Sequence, residues 1–389
     1  MNWREEQKSF GHYAQKITNK ALRQNADRKY KWETNAMKVI GRDKVVMYDF
    51  SDEGRQVPGT GAKWQDSTWL HWWDNENSVG GVHRIGHEYN YEGEAPRIAL
   101  WSNLVTPEGI YRHVLGNPLR EADKLPNGWG GGDDTCRNII PEEGVHQWII
   151  DDPAAGVSAD LVFKDYHAPF CGFPRSGDTS ENIAPDHIDV GGSITGSITM
   201  NGKTFDVTAG QGVRDHGWGH RDIKTMLSHR YCAGTFGPDF TFCAWSIHNI
   251  VSDAVESFGW VVKGGDTVVF AKRIEIISYV EVDSASTRGG RIIMDLADGD
   301  TLDCELTAVT PGLVNWFDTH KFANNNTLCR AEANGRVGGG MFESMMNFHL
   351  GTRAPGRMQR ALAQSGFYPG NFETMLADPK GPFAKSTVI

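Results

Sequence analysis

Short runs of alternating apolar and polar residues, separated by turn-forming residues, make up most of the chain between residues 45 and 309. Residues 192–200 alternate cleanly, residues 203–208 repeat the pattern, and Asn201-Gly202 between them is a strong β-hairpin signal. Similar runs recur at residues 45–48, 68–74, 80–89, 97–105, 109–115, 147–150, 158–166, 231–236, 240–248, 257–262, 267–274, 291–296 and 302–309. Short strands at this spacing predict an all-β barrel or sandwich.

The two ends of the chain and one internal region break this pattern. Residues 1–40 are polar and charged, and we predict an N-terminal helical arm there. Residues 358–364 favour a C-terminal helix. Proline, glycine, serine and aspartate cluster in residues 168–188 and indicate a long loop. We therefore predict a first β domain at 41–188 and a second at 189–389.

Charge and hydropathy narrow the class of protein. The 389 residues carry a net charge of -10 and no cluster of Lys and Arg, which argues against a nucleic-acid groove. No apolar run approaches the roughly 20 residues that a membrane helix needs. The polar N-terminus lacks the apolar core of a secretory signal. We expect a cytoplasmic protein without stable membrane insertion, and one that can form a homodimer.

Tryptophan and cysteine usage adds two further points. The 13 tryptophans supply large apolar walls with one polar atom each, which suits a pocket for an amphipathic ligand. The six cysteines show no CxxC spacing, so zinc-finger and redox motifs do not fit, and buried free thiols are expected. We expect a hydrophobic small-molecule substrate and no cofactor.

Residues 210–222 are the most informative segment of the chain. They read GQGVRDHGWGHRD, which places two arginines, two aspartates, two histidines and a tryptophan among four glycines. Ionisable groups in such a tight segment are costly to bury unless they are paired. A structural turn does not require this mixture, whereas a site that transfers protons beside an apolar ligand does.

The hairpin that leads into this segment resembles the signature of the carotenoid 1,2-hydratase (hydroxyneurosporene synthase) and AttH-like superfamily. The matching order is Gly-x-Gly-x-Arg-Asp-His-x-Trp-Gly-x-Arg-Asp. The resemblance implies two lipocalin-like (calycin-type) β-barrel or sandwich domains side by side, with a hydrophobic cavity. It also implies relatedness to carotenoid and prenyl-group hydratases and to fungal pericyclases. Outside the motif the resemblance lies in the general pattern of the sequence and not in particular matching residues.

The resemblance also implies roles for particular residues. His216 and Trp218 would line the active site, with Asp215 directly before them. The hydratases place an acidic residue and a tyrosine on a strand shortly downstream, but residues 240–248 of this chain contain no carboxylate. This departure leaves the substrate and the identity of the acid open. Glu343, in a Gly-rich β context, is either the missing carboxylate or a paired surface residue.

The residue types fit acid–base chemistry beside an apolar ligand. A carboxyl group in an apolar pocket has a raised pKa, histidine is a base of moderate pKa, and aromatic faces stabilise cations. We predict Asp215 as the acid, His216 as the base or water-positioning group, and Trp218 and Trp245 as walls. The other predicted substrate-binding residues are Arg221, His229, Tyr231, His248, Trp72 and Trp73.

Other interpretations of the same segment stay open. Asp215 can form a buried ion pair with Arg214 or Arg221 that pins a Gly-rich bend. If the segment is extended, His216 lies on one face while Asp215 and Arg221 share the other. A metal site at His216 and His220 would need a helix that the neighbouring glycines disfavour, so no metal is predicted.

The predicted function is a cofactor-independent hydratase, dehydratase or isomerase acting on a terpenoid, steroid or prenylated molecule. Two rivals fit the same sequence. A lipid or terpenoid carrier would bind the ligand in a lipocalin-like cavity without chemistry. A pericyclase would need shape and hydrogen bonds but no strong acid, so its rate would depend little on pH.

Overall fold

The computed structural model describes residues 37–43, 45–91, 93–174, 183–223, 226–249, 255–280, 287–317, 322–347 and 387–388. The predicted N-terminal helical arm lies outside these residues except for residues 37–40, where the first strand begins. The predicted C-terminal helix also lies outside them. In the part of the chain that is described, no helix is long and apolar enough to cross a membrane.

The described residues are almost entirely β-structure, which confirms the predicted all-β class. Two short 3-10 helices interrupt the strands, at Phe50–Asp52 and Glu121–Asp123. The strands are β1 (Lys38–Ile40), β2 (Val46–Met47), β3 (Trp64–Asp74), β4 (Val79–Tyr89), β5 (Arg97–Thr106), β6 (Gly109–Leu115), β7 (Gly128–Gly130), β8 (Cys136–Glu142), β9 (Val145–Asp152), β10 (Val157–Asp165), β11 (Phe170–Cys171), β12 (Asp186–Met200), β13 (Lys203–His220), β14 (Met226–Thr235), β15 (Phe240–Asn249), β16 (Val255–Lys263), β17 (Thr267–Val280), β18 (Thr287–Leu296), β19 (Thr301–Ala308), β20 (Leu313–Phe317), β21 (Phe322–Ala333), β22 (Arg336–Asn347) and β23 (Thr387–Val388).

The second half of the chain forms a closed eight-stranded barrel. Its strands follow the order β17-β16-β15-β14-β22-β21-β19-β18, and β18 pairs back with β17. Strand β1 adds to β17 in parallel, and β20 pairs with β21. The barrel interior is apolar, with Phe242, Val261, Ile292, Leu306 and Phe342 fully buried. We call this unit the second barrel.

The first half forms an eleven-stranded sheet in the order β23-β6-β5-β4-β3-β13-β12-β10-β9-β8-β7. Pairings among the described residues leave this sheet open. The lipocalin-like barrel was expected for both halves; it is closed in the second barrel but not in this sheet. Side chains from β3 to β13 converge on one core, which contains Leu70, Trp72, Leu161 and Ile198. We call the side of the sheet that carries this core its inner face and the opposite side its outer face.

The longest hairpin among the described residues joins β12 to β13 within the first sheet. The turn is the predicted Asn201-Gly202, and both residues have positive φ, 52° and 74°, as a two-residue hairpin turn requires. The predicted domain boundary at residue 188 falls inside β12. The chain crosses from the first sheet to the second barrel after β13, between His220 and Met226.

The outer face of the first sheet packs against the outside of the second barrel. Alternation along β3 directs Trp69 and Trp73 outward, where they share a core with Tyr231, Trp245 and other residues of β14 and β15. Aromatic residues are frequent in this layer. The six cysteines are all buried and free, as predicted.

The Gly-rich stretch at residues 117–135 is part of the inner core of the first sheet. It contains a 3-10 helix and β7, and Trp129 on that strand is fully buried. Arg120 binds the carboxylates of both Asp123 and Asp134, which fixes the stretch in place. None of its residues lines the pocket described below.

Candidate active site

A pocket lies where the outer face of the first sheet meets the second barrel. Its cavity volume is about 50 Å³, and the whole cleft, including the part that is open to solvent, measures about 530 Å³. Both units supply its walls, so the pocket exists only when they are packed together. The lining residues are Gln65, Ser67, Trp69, Arg84, Trp101, Ile183, His187, Asp215, Gly217, Arg221, His229, Tyr231, Trp245, Asn324, Glu343 and Met345.

Strand alternation divides the segment 210–222 between the two faces of the first sheet. Asp215 and Gly217 face the pocket, whereas His216 and Trp218 lie on the inner face. There His216 Nε2 is 2.9 Å from Asp66 Oδ1, and both side chains are fully buried. The imidazole also packs against the rings of Trp129 and Trp218. His216 and Trp218 are therefore core residues, contrary to the expectation that they line the site.

Two carboxyl groups and one imidazole meet beside the pocket. Cross-strand pairing sets Asp189 on β12 directly opposite Asp215 on β13, and His187 opposite Gly217. His187 Nε2 lies 3.2 Å from Asp189 Oδ1 and 3.8 Å from Asp215 Oδ2. A side chain at position 217 would be tight, since a Cβ there would stand 3.0 Å from His187 Nδ1. Tyr231 of the second barrel donates a 3.0 Å hydrogen bond to Asp189.

Burial and charge shift the proton affinity of this cluster. Burial raises the pKa of Asp215 to about 6. The positive charge of His187 acts to lower this pKa, and the negative charge of Asp189 on the neighbouring strand acts to raise it. Burial acts to lower the pKa of His187, but the attraction of Asp189 and Asp215 outweighs it, so the pKa of His187 is raised. Asp215 can therefore hold a proton at a pH where an exposed aspartate is ionised.

A histidine–glutamate pair forms another wall of the pocket, on the second barrel. His229 Nε2 lies 2.7 Å from Glu343 Oε1, and Glu343 Oε2 accepts hydrogen bonds from Asn324 and Asn326 at 3.0 and 2.6 Å. A carboxylate accepts, so the network assigns the proton to Nε2 and leaves Nδ1 as a free acceptor. The buried Nδ1 of His229 has no hydrogen-bond partner among the described residues. This arrangement suits a general base.

Aromatic rings form the apolar part of the wall. Tyr231 and Trp245 stack with ring centroids 4.2 Å apart, and Trp69 packs against Tyr231 at 5.7 Å. Trp101 completes the set from β5. Such walls bind flat or apolar ligands while the polar groups described above fix their orientation.

Two arginines on the first sheet share one acceptor at the pocket. Arg84 Nη2 and Arg221 Nη1 both donate to Gln65 Oε1, at 3.1 and 2.9 Å. Arg221 Nε also donates to the carbonyl of Ile183 at 2.7 Å. The alternative interpretation, an ion pair between Asp215 and Arg214, does not hold, because Arg214 lies on the inner face and binds Glu53 and Asp165.

The predicted site residues thus fall into two groups. The pocket contains Asp215, Arg221, His229, Tyr231 and Trp245, and also Glu343, which had two interpretations. Three further predicted residues do not line it. Trp72 belongs to the inner core and donates to His83, Trp73 packs in the core between the two units, and His248 is half-buried on β15.

His187, Arg84 and Trp69 line the pocket and were not predicted as part of the site. Asp189, which was also not predicted, lies behind the wall and is bonded to His187. Residues 187–189 precede the predicted hairpin, and counting back from its turn would have placed them near residues 215–217. The pairing of His229 with Glu343 joins positions 114 residues apart and has no local signal.

One cluster among the described residues has the spacing of metal ligands. His187, Asp189 and Asp215 each offer a ligand atom within 4.8 Å of the others. The alternative pair, His216 and His220, cannot share an ion, because four residues along a strand span roughly 13 Å.

The closed eight-stranded barrel and the open sheet packed against it are consistent with a lipocalin-like fold. The chain belongs to the family described as domain of unknown function DUF7064, whose pattern matches residues 49–348. A search of the curated proteins finds no match in sequence.

Solved structures support the same fold. A putative AttH from Nitrosomonas europaea aligns with a TM-score of 0.59 at 9% identity, covering 78% of this chain and 97% of its own. Kievitone hydratase from Nectria haematococca gives 0.53 at 11% identity, covering 82% and 98%. CghA with Sch210972 gives 0.52 at 11% identity, covering 77% and 96%. At these identities the likeness concerns the fold alone; it agrees with the AttH-like part of the predicted resemblance.

Proposed function

We propose that the protein is a cofactor-independent hydratase or dehydratase of a hydrophobic small molecule of the terpenoid, steroid or prenylated class. One observation carries the proposal: a carboxyl group with a pKa of about 6 and an oriented imidazole line the same pocket. The fold shared with kievitone hydratase is compatible with this chemistry. Addition and removal of water both need an acid and a base placed on one substrate.

Asp215 is the proposed acid and His229 the proposed base. In dehydration, Asp215 protonates the departing hydroxyl group, which leaves as water, and His229 Nδ1 takes the proton from the neighbouring carbon. In hydration the same steps run in reverse: the Asp215 carboxylate takes a proton from the attacking water, and His229 returns its proton to the neighbouring carbon. Glu343 stabilises the imidazolium that forms, and Asn324 and Asn326 hold Glu343. If a double bond moves without loss of water, the same pair gives an isomerase.

The test is a mass measurement on a panel of terpenoid alcohols, sterols and prenylated phenols incubated with the protein. We expect one class to gain or lose the mass of a water molecule. Asp215→Asn and His229→Gln should abolish this change. The matched controls are Asp206→Asn, an exposed aspartate on the same strand as Asp215, and His248→Gln, which lies outside the pocket. Retained ligand of unchanged mass would instead support a carrier.

A pericyclase is the second candidate, because the sequence resemblance extends to fungal pericyclases; CghA, whose structure was solved with Sch210972, shares the fold. Its chemistry would leave the substrate mass unchanged. Its rate would survive Asp215→Asn, because a concerted rearrangement needs no strong acid. Chromatography of the mass-neutral products separates this outcome from a carrier.

A further inference from the structure

The two arginines that line the pocket have a neutral oxygen as their common partner. Gln65 Oε1 accepts from both guanidinium groups, and Gln65 and Arg84 are almost fully buried. The carboxylates of Glu88 and Asp215 act to raise the pKa of both guanidinium groups, and the Arg221 charge acts to lower that of Arg84. Burial lowers the pKa of both arginines, that of Arg84 to about 10, so both stay charged at neutral pH.

Part of this donor set faces the ligand space. Arg221 uses Nε for the carbonyl of Ile183 and Nη1 for Gln65. Its Nη2 donates to none of the residues that the structure describes. A planar guanidinium held at two points has its remaining donors fixed in direction, which favours binding of an oxygen acceptor.

The same arginines disfavour a carbocation on the part of the substrate that lies beside them. There a developing positive charge would be repelled by two guanidinium groups, whereas the carboxyl groups of Asp215 and Glu343 line other parts of the pocket. The ring of Trp101, which could otherwise stabilise a cation, is already covered by Arg84, whose guanidinium carbon lies 4.9 Å from the ring centroid. Fixed cationic donors instead stabilise negative charge that develops on an oxygen during the reaction.

We infer that the substrate is a β-hydroxy carbonyl compound or its α,β-unsaturated counterpart, with the carbonyl or carboxylate oxygen bound by Arg221 beside the positive charge of Arg84. This inference rests on the proposed hydratase function and narrows its substrate class. Dehydration breaks the α C–H bond, and His229 Nδ1 takes that proton while the electron pair moves toward the carbonyl oxygen. The β C–O bond then breaks, Asp215 gives its proton to the hydroxyl, and the products are the conjugated alkene and water. Transfer of the proton from His229 back to Asp215 restores the site.

Binding of three probes with one ring system tests the inference without requiring turnover. The probes are 2-naphthoate, 2-acetylnaphthalene and 2-ethylnaphthalene, and quenching of tryptophan fluorescence reports occupancy of the aromatic pocket. We expect affinity to fall in that order, with naphthoate at least about tenfold tighter than ethylnaphthalene, as expected for one charge-assisted contact.

Variants at position 221 show whether the arginine creates this preference. Arg221→Met should remove it while leaving ethylnaphthalene binding within about twofold, which also shows that the pocket is intact. Arg221→Lys should restore part of it, and Arg137→Met, at an exposed site on β8, should leave it unchanged. Equal affinity for the three probes, no binding of naphthoate, or a preference that survives Arg221→Met would overturn the inference.

Activity separates this inference from the proposed function. Asp215→Asn should keep the naphthoate preference and lose turnover of an enone such as 4-phenylbut-3-en-2-one. A naphthoate preference without any hydration or dehydration would refute the hydratase function alone. Hydration of isolated alkenes combined with no probe preference would refute the carbonyl inference alone.

Discussion

Replacing Asp215 by asparagine should stabilise the folded protein. The pKa of Asp215 rises to about 6 on folding, chiefly because the carboxyl is buried, from an ordinary value near 4. A shift of about two units corresponds to roughly 3 kcal/mol that the folded state spends to keep this group ionised above pH 6. The side chain is 17% exposed, so water relieves part of the cost and we expect about 1–3 kcal/mol.

The sign of the pH dependence follows from the raised pKa. Below about pH 4 the carboxyl is protonated in both folded and unfolded states, so the variant and the wild type should differ little. As the pH rises from about 4 to about 6 the wild type loses stability that Asp215→Asn keeps. The gain in the free energy of unfolding should therefore develop between about pH 4 and pH 6 and then stay constant.

Urea denaturation followed by tryptophan fluorescence at several pH values measures this difference. Asp206→Asn is the control, because that aspartate is exposed on the same strand. A stabilised but inactive variant is the signature of a residue held at a cost for function. The reasoning is refuted if Asp215→Asn destabilises the protein at about pH 7.5, or if its effect does not change with pH.

Three other changes probe the site. Asp189→Asn removes the like charge opposite Asp215, so the pH at which activity falls on the alkaline side should drop by on the order of one unit in a pH–rate profile; an upward shift would contradict the assigned acid. Glu343→Gln should lower kcat by about 100-fold or more with little change in KM in steady-state kinetics, and an unchanged kcat would exclude the assigned base pair. His216→Ala should cost about 3 kcal/mol in a urea titration, because it leaves the Asp66 carboxylate buried without its partner. It should leave the ligand preference intact, and loss of that preference in a folded variant would return His216 to the site.

The sequence predicts the β-structure well because strand alternation and turn chemistry are local. The alternation at residues 192–200 and the Asn201-Gly202 turn define the β12–β13 hairpin. The same alternation separates His216 from Asp215 and Arg221. Which face lines the pocket depends on packing against the second barrel, and that is not a local property. The sequence resemblance placed His216 in the site, whereas tertiary packing places it in the core.

Two features of the structure could not be predicted from local sequence patterns. An ideal hairpin register from Asn201-Gly202 sets residue 188 opposite Asp215, but a bulge between Ile194 and Gly196 shifts the pairing by one and brings Asp189 there instead. The predicted boundary at residue 188 falls inside β12, because β12 pairs with β13 and both strands belong to the first sheet.

The central claim is that Asp215 transfers a proton as water is added or removed. The most direct measurement is the mass of the products after incubation of the substrate panel in ¹⁸O-labelled water, with wild type and Asp215→Asn side by side. The account predicts incorporation of one labelled water, or loss of one water, by the wild type and no change by the variant. A product formed equally well by the variant, or ligand retained at unchanged mass by both proteins, would contradict it.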